Sequence, residues 1–163
     1  MKEILLQYAF YNVWANGILL NVATKLSAEQ QQQIIVSSFP GVQKTFLHML
    51  DVESIWWQRM KLNEQIIWPS AENNFDMNQI AEGLINQSKK WQTWVSEASE
   101  TQLQHVFAYF NSKKEYFKQP QWQMLLHLFN HQTYHRGQIV TMLRQLNVEK
   151  IPPTDFIVFS RKK

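Results

Sequence analysis

The 163-residue sequence contains no cysteine. This absence excludes disulfides, thiolate metal ligands and a cysteine nucleophile together. It fits a reducing compartment, where proteins do not rely on disulfides for their stability. Thiol chemistry in this protein would therefore need a thiol from another molecule.

The sequence also lacks a long apolar run. No segment approaches the roughly 20 uninterrupted apolar residues that cross a membrane. The N-terminus has the charged residues Lys2 and Glu3, then mixes apolar with amide residues, and shows no small-residue cleavage site of a signal peptide. These features predict a soluble, cytoplasmic protein that does not associate with a membrane.

The net charge is small, a formal +3 at pH 7. The basic residues are scattered in pairs such as Lys89-Lys90 and Lys113-Lys114 and do not form one stripe. A nucleic-acid-binding surface is typically a concentrated basic face. We therefore expect no nucleic-acid partner.

Apolar and aromatic residues are abundant. They make up 45% and 13% of the sequence and include 7 Trp and 10 Phe. This composition predicts a folded protein with one domain over residues 1–163, large enough to bury a core without disulfides or a structural metal. A metal in this protein would therefore serve function more than folding.

Four stretches repeat apolar residues every three or four positions, which is the spacing of one helix face. They predict helices over residues 2–26, 42–62, 76–99 and 119–147. Residues that could cap short or long helices at their N-termini are Ser27, Ser38 and Asp76. The predicted apolar face of the first helix is formed by Ile4, Tyr8, Tyr11, Ala15, Ile18 and Val22.

Two segments do not follow the helical pattern. Residues 103–118 contain β-forming aromatic and branched residues on both sides of Asn111-Ser112-Lys113-Lys114, which predicts a short hairpin between the third and fourth helices. Two prolines at 152 and 153 precede residues 156–159, and we expect these residues to form an extended tail packed on the helices.

His131 and His135 are the most informative pair in the sequence. Four residues apart on a helix, their side chains share one face and lie about 6 Å apart along the axis. Neutral imidazole is a common ligand of zinc, nickel and similar ions. The alternative is a pair of core histidines satisfied by hydrogen bonds. Spacing alone leaves both interpretations open.

Three other histidines could join the pair. His127 lies eight residues from His135, about 12 Å along the axis, so these two and His131 cannot all hold one ion; an outer-shell or structural role fits it better. His105 falls in the predicted hairpin, as an exposed or edge-strand residue. His48 could reach the pair if the second helix packs against the fourth. Three histidines would leave coordination positions for water or substrate.

Three sequence blocks together resemble the DinB-like superfamily, which is distinct from the translesion polymerase that shares the name. The blocks are Tyr11-Asn12-Val13-Trp14-Ala15-Asn16, His48-Met49-Leu50-Asp51-Val52-Glu53-Ser54-Ile55-Trp56 and Asn130-His131-Gln132-Thr133-Tyr134-His135-Arg136-Gly137-Gln138. The tail Pro153-Thr154-Asp155-Phe156 is similar too, so the resemblance covers essentially the whole chain.

The resemblance implies an all-α four-helix bundle with a divalent metal site whose ligands are His48, His131 and His135. It thereby selects His48 over His105 and His127. Several relatives are transferases or isomerases that use a low-molecular-weight thiol, and many have histidine where this chain has Tyr134. In those relatives two adjacent histidines precede Arg-Gly, and the second of them, His135 here, is the ligand. Metal binding should therefore survive in this chain, whereas Tyr134 cannot act as a histidine acid or base.

Other residues near the histidines have two interpretations each. Asp51 and Glu53 could orient a ligand imidazole or lie on the helix surface. Tyr134 could donate a proton or hold a substrate oxygen, and it could also pack in the core. Arg136 could bind a carboxylate or pair with an acid on a neighbouring helix. We take Asp51, Tyr134 and Arg136 as candidate catalytic residues.

The sequence therefore predicts an enzyme that depends on a divalent ion, zinc or nickel, and activates a low-molecular-weight thiol for transfer or isomerisation of a small-molecule substrate. The first alternative is a hydrolase in which the ion activates water. The second is a non-enzymatic bundle that binds metal or a small molecule, such as a stress protein. A homodimer is expected, because aromatic-rich bundles often bury a helix face against a second copy.

Overall fold

The computed structural model describes residues 1–72, 74–111 and 113–161. In that part of the chain the elements are, in order, α1 (Lys2–Ala23), α2 (Ala28–Gln32), α3 (Val42–Met60), α4 (Pro69–Glu72), α5 (Met77–Glu97), α6 (Glu100–Gln104), β1 (Val106–Phe110), β2 (Tyr116–Pro120), α7 (Gln121–Gln145) and α8 (Phe156–Ser160).

The four long helices α1, α3, α5 and α7 pack together. Helix α1 contacts α5 and α7, and α3 contacts the same two helices. The predicted four-helix bundle is confirmed, and so is the hairpin before the last long helix. Among the described residues, no helix combines the length and apolar character that a bilayer-spanning segment needs.

Side-chain caps begin several helices. Ser27 and Asp76, both predicted as caps, form capping boxes with Gln30 and Gln79 respectively. Each cap oxygen accepts a hydrogen bond from a backbone N–H that has no partner inside the helix. In return, the side-chain oxygen of the glutamine accepts a hydrogen bond from the backbone N–H of the cap residue. The start of α5 and the short helix after α1 were therefore readable from local sequence.

The predicted cap at Ser38 is wrong. Helix α3 begins after Gly41, which has no side chain to cap it and adopts φ 97°. The hydroxyl of Ser38 instead accepts a hydrogen bond from Nε2 of Gln138 on α7. Residues 38–41 therefore turn the chain into α3 through the positive φ of glycine, a conformation that costs a residue with a Cβ.

Replacing Gly41 with alanine is expected to lower the free energy of unfolding by about 1–3 kcal/mol, because the backbone there is left-handed. A Cβ would also collide with the carbonyl oxygen of Gln33. Urea denaturation measures the effect. Gly137→Ala is the matched control: no atom lies within 4 Å of its added Cβ, and alanine favours a helix interior by up to about 1 kcal/mol. Equal stabilities for the two variants would contradict the expectation.

The hairpin pairs β1 with β2 in antiparallel register, from Val106 opposite Pro120 to Phe110 opposite Tyr116. Of the predicted turn, Ser112 lies outside the described residues, whereas Asn111 and Glu115 close the turn through backbone and side-chain hydrogen bonds. The hairpin leads directly into α7.

The extended tail predicted at residues 156–159 is wrong, because these residues form the short helix α8. Phe156 and Phe159 are three residues apart, so a helical turn brings both rings to the same side. Both contact the ring of Tyr11 on α1, at centroid distances of 5.3 and 5.8 Å. These tertiary contacts override the β-propensity of the segment.

The buried face of α1 also differs from the predicted one. Ile4 is 61% exposed, whereas Leu5, Asn12, Asn16 and Leu19 are buried. The pattern missed this face because two of its members are polar. When amide side chains are part of the core, a buried face predicted from apolar residues alone differs from the face that is actually buried.

Buried polar side chains from all four long helices meet in the core. We call this set the buried polar network; it consists of Asn12, Asn16, Glu53, Ser88 and Arg136. Along α1, α5 and α7 it lies between the two clusters of buried apolar residues, which lie toward opposite ends of the bundle. The network lies at the level of the histidines on α7, since Arg136 follows His135 directly.

Candidate metal centre

Three histidines from two helices meet at one point. His48 lies on α3, and His131 and His135 lie one turn apart on α7. Each offers one ring nitrogen, and these atoms all lie within 4.8 Å of one another. The packing of α3 against α7 thus brings together the residues that the resemblance implied.

The nitrogen spacing suits a metal ion. Nε2 of His131 lies 3.4 Å from Nε2 of His48 and 3.2 Å from Nε2 of His135. An ion bound at about 2.0–2.1 Å holds two nitrogens about 3.4 Å apart at a tetrahedral angle and about 2.9 Å apart at a right angle. Both distances fall in this interval, so these two nitrogen pairs suit a shared divalent ion.

Hydrogen bonding fixes the orientation of the His135 ring. Its Nδ1 lies 2.8 Å from Oε1 of Gln138, and the amide nitrogen of Gln138 donates to the hydroxyl of Ser38. Because that amide oxygen can only accept, Nδ1 of His135 is the donor, and its Nε2 carries the lone pair that faces the other two rings. Outer-shell partners of metal-bound histidines act in this way.

All three imidazoles are held in the neutral form that binds metals. Burial lowers the pKa of His48 to about 4, and nearby His135 adds to the effect. Burial likewise lowers the pKa of His131 to about 3, with smaller contributions from the neighbouring histidines. The pKa of His135 is also lowered by burial, against the opposing effect of Gln138. At neutral pH protons therefore compete weakly for this site.

Two contacts position the helices around the cluster. The ring of Phe39 stacks on His48 at a centroid distance of 3.8 Å and covers one face of that imidazole. Behind the cluster, Nε2 of the buried Gln132 donates to the carbonyl oxygen of Met49 at 3.0 Å. This bond ties α7 to α3 beside His48.

Replacing Gln138 with alanine is expected to weaken zinc binding by about 10–100-fold, the usual cost of losing an outer-shell partner. The variant frees Nδ1 of His135, so the ring can rotate and change tautomer. Zinc competition against a chromophoric chelator measures the affinity. Gln145→Ala, an exposed amide near the end of the same helix, is the control. Equal affinities for the two variants would show that Gln138 does not orient the ligand.

The candidate catalytic residues occupy three different environments. Asp51 is buried and accepts a hydrogen bond from the backbone N–H of Ser70, which anchors α4 to α3; burial raises the pKa of its carboxyl. Tyr134 is 60% exposed, with its ring 5.1 Å from that of His135. Among the described contacts, only Tyr134 of the three touches a histidine of the cluster.

Arg136 points into the core. Its NH1 group donates to Oδ1 of both Asn12 and Asn16, and NH2 donates to Oγ1 of Thr133. Asn12 in turn donates to Oε1 of Glu53. The guanidinium and the carboxylate are therefore joined through amides across the bundle, which fits the structural interpretation of Arg136. Glu53 is fully buried and is not a surface charge.

The remaining histidines lie outside the cluster. The ring of His127 is 5.8 Å from that of His131 and 5.5 Å from that of Trp56. His105 is exposed at the end of α6, where its carbonyl oxygen accepts a hydrogen bond from Gln121. Both positions agree with the interpretations made from the sequence.

Sequence reasoning missed Ser38, Phe39 and Gln138 as parts of the site. Gln138 could have been found, because it lies three residues after His135 and shares its helix face. Ser38 and Phe39 give no such signal, since their position depends on how the chain turns before α3.

The chain is similar to known proteins over nearly its full length. The model of the DinB family matches residues 1–162. Protein DinB of Bacillus subtilis strain 168 is 27% identical over 170 residues, which cover 96% of this chain and 93% of that protein. A crystal structure of a DinB-like protein from Bacillus cereus superposes with a TM-score of 0.73 at 21% identity, covering 93% of this chain and 95% of that one. This last likeness shows a shared fold.

Proposed function

Because the chain belongs to the DinB family and gathers three histidines at one point, we propose that it is a divalent-metal-dependent enzyme. His48, His131 and His135 are the proposed ligands, with zinc or nickel as the ion. The observation that carries the proposal is that Nε2 of His131 lies 3.4 Å from Nε2 of His48 and 3.2 Å from Nε2 of His135. A carboxylate or thiolate is absent from this ligand set, so a bound ion would keep most of its positive charge.

The proposed reaction is transfer or isomerisation with a low-molecular-weight thiol as co-substrate. When bound, the ion supplies Lewis-acid chemistry and lowers the pKa of a thiol or water that coordinates it. Three protein ligands leave room for such a molecule. A thiol from outside is required because the chain has no cysteine of its own.

The chain's own residues have distinct tasks in this proposal. Gln138 holds the His135 ring in its ligand tautomer, and Phe39 shields one face of His48 from solvent. Tyr134 is exposed beside His135, where its hydroxyl can reach a substrate oxygen. Asp51 and Arg136 act through structure, by holding α4 and the buried polar network respectively.

The test begins with protein purified without chelators and titrated with zinc and nickel. We expect one ion per chain. The loaded protein is then incubated with a low-molecular-weight thiol and a panel of electrophiles, and thiol loss is followed. Consumption that disappears in His135→Ala but persists in His105→Ala supports the transferase, because His105 is exposed at the end of α6 and lies outside the cluster.

Two results would favour the other functions. Ester or amide hydrolysis that needs the ion but no thiol would support a hydrolase. An ion bound at one per chain, with no turnover in either assay, would support a binding protein. No ion bound on titration would overturn the site itself.

A further inference from the structure

A row of aromatic rings runs from the histidine cluster to the hairpin. The ring of His127 lies next to His131, Trp56 lies 5.5 Å from His127, and Tyr109 lies 4.9 Å from Trp56. Arg59 covers Trp56 and Tyr109. We call Trp56, Arg59, Tyr109 and His127 the aromatic shelf. It combines residues of α3, β1 and α7 on the side of the bundle where the histidines meet.

Arg59 has no polar partner in the described part of the chain. Its Cζ lies 4.8 Å from the Trp56 ring centroid and 5.5 Å from that of Tyr109. Stacking uses the faces of the guanidinium and leaves its N–H groups free at the edges. The buried Nε has no hydrogen-bond partner among the described residues. Arg59 also forms no ion pair with them, since the ion pair found among these residues joins Met1 to Glu100.

The charges around Arg59 do not neutralise it. Glu64 shares a cavity of about 240 Å³ with Arg59 and Tyr109, but it forms no ion pair with the guanidinium in the described structure. A half-buried cation with free donors and aromatic walls is the arrangement that binds a carboxylate or a similar planar anion. Arg136 differs in this respect, because amides link it to Glu53.

We propose that the aromatic shelf recognises the substrate of the histidine site, and that this substrate has a flat unsaturated part and a carboxylate. Arg59 binds the carboxylate, while Trp56 and His127 contact the flat part. The proposal rests on the proposed function, since it assigns the substrate class of that site. Arg59 follows His48 by eleven residues, about 16 Å along the helix, so the reacting end of the molecule and its anionic end are well separated.

Calorimetric titration with 2-naphthoate and with its neutral analogue 2-naphthylmethanol tests the proposal. The two probes share a ring system and differ in charge. We expect wild-type protein to bind the carboxylate at least about 10-fold more tightly, since a hydrogen bond to a charged group is the stronger kind. Arg59→Gln should lose this preference, and Arg59→Lys should keep part of it.

Lys61→Gln is the matched control. Its ammonium stacks on Trp57 at 5.0 Å, so this variant removes an equal charge from the same helix end without touching the shelf. It should behave as wild type. Equal affinities of wild-type protein for the two probes, or an unchanged preference in Arg59→Gln, would overturn the proposal. Should Arg59→Gln fail to fold, the Arg59 Nε resonance of wild-type protein must shift with naphthoate and not with the alcohol.

Zinc affinity, measured on the same proteins, separates this proposal from the proposed function. Arg59→Gln should bind zinc as wild type does, because Arg59 is not among the ligands. A carboxylate preference that depends on Arg59 in a protein that binds no zinc would support the shelf and refute the metal site. Normal zinc binding without a carboxylate preference would refute the shelf alone.

Discussion

Replacing His48 with alanine is expected to weaken zinc binding by more than the roughly 10–100-fold that an outer-shell change costs. His48 supplies one of three nitrogens that converge on one point, and two imidazoles from a single helix would then hold the ion alone. The helix itself should survive, because alanine is the best helix former. His131→Ala and His135→Ala should have similar effects.

Competition against a chromophoric chelator gives the zinc affinity of each variant, and circular dichroism verifies that it remains folded. His127→Ala is the matched control, since its ring is 5.8 Å from that of His131 without entering the cluster. We expect it to change zinc affinity by less than about threefold, that is by less than 1 kcal/mol. Equal losses in His48→Ala and His127→Ala would mean that zinc binds elsewhere.

Removing the carboxylate of Glu53 is the second large effect. Above about pH 7, where the carboxyl of Glu53 is ionised, Glu53→Ala is expected to cost about 3–5 kcal/mol of stability, because it leaves the buried charge of Arg136 uncompensated. The hydrogen bonds that Glu53 accepts from Asn12 and Ser88 would be lost as well. Urea denaturation measures the loss. Glu97→Gln, an exposed acid on α5, should leave stability within about 0.5 kcal/mol.

The pH dependence of stability gives a finer test at the same residue. Burial raises the pKa of Glu53 to about 7 in the folded protein, against hydrogen bonds and Arg136, which lower it. The folded state therefore binds this proton more tightly than the unfolded state, whose glutamate has a pKa near 4.5. The contribution of Glu53 is greatest below about pH 4.5, falls as the pH rises to about 7 and is constant above that.

The stability difference between wild-type protein and Glu53→Gln should follow this curve. The free energy of unfolding of wild-type protein should fall relative to that of Glu53→Gln as the pH rises from about 4.5 to 7. This window is set by the unfolded and folded pKa values of Glu53. The histidines with lowered pKa act in the opposite direction, but they are common to both proteins and cancel in the difference. A flat difference, or one that rises with pH, would contradict the proposed environment of Glu53.

Local patterns predicted the long helices and part of the site. The period of α7 placed His131 and His135 on one face, and the capping boxes at Ser27 and Asp76 marked helix starts. These features depend on residues three or four positions apart, so they can be recognised in a single sequence. The third candidate ligand, His48, was chosen through the resemblance, because no local sequence pattern shows how α3 packs against α7.

The features that were missed depend on contacts between distant segments. Asn12 and Asn16 look like solvent-facing amides in sequence, and their burial follows from Glu53 on α3 and Arg136 on α7. Helix α8 forms where the prolines before it predicted an extended chain, because its rings pack on α1. Phe39 reaches His48 only through the turn at Gly41. In each case a tertiary contact overrides the local preference.

X-ray absorption spectroscopy of the zinc-loaded protein tests the metal site most directly, because it counts the ligands of the ion itself. The account predicts three imidazoles at about 2.0–2.1 Å with the remaining coordination by oxygen, and one imidazole fewer in His48→Ala. Two imidazoles or fewer in wild-type protein, or an unchanged spectrum in His48→Ala, would contradict it.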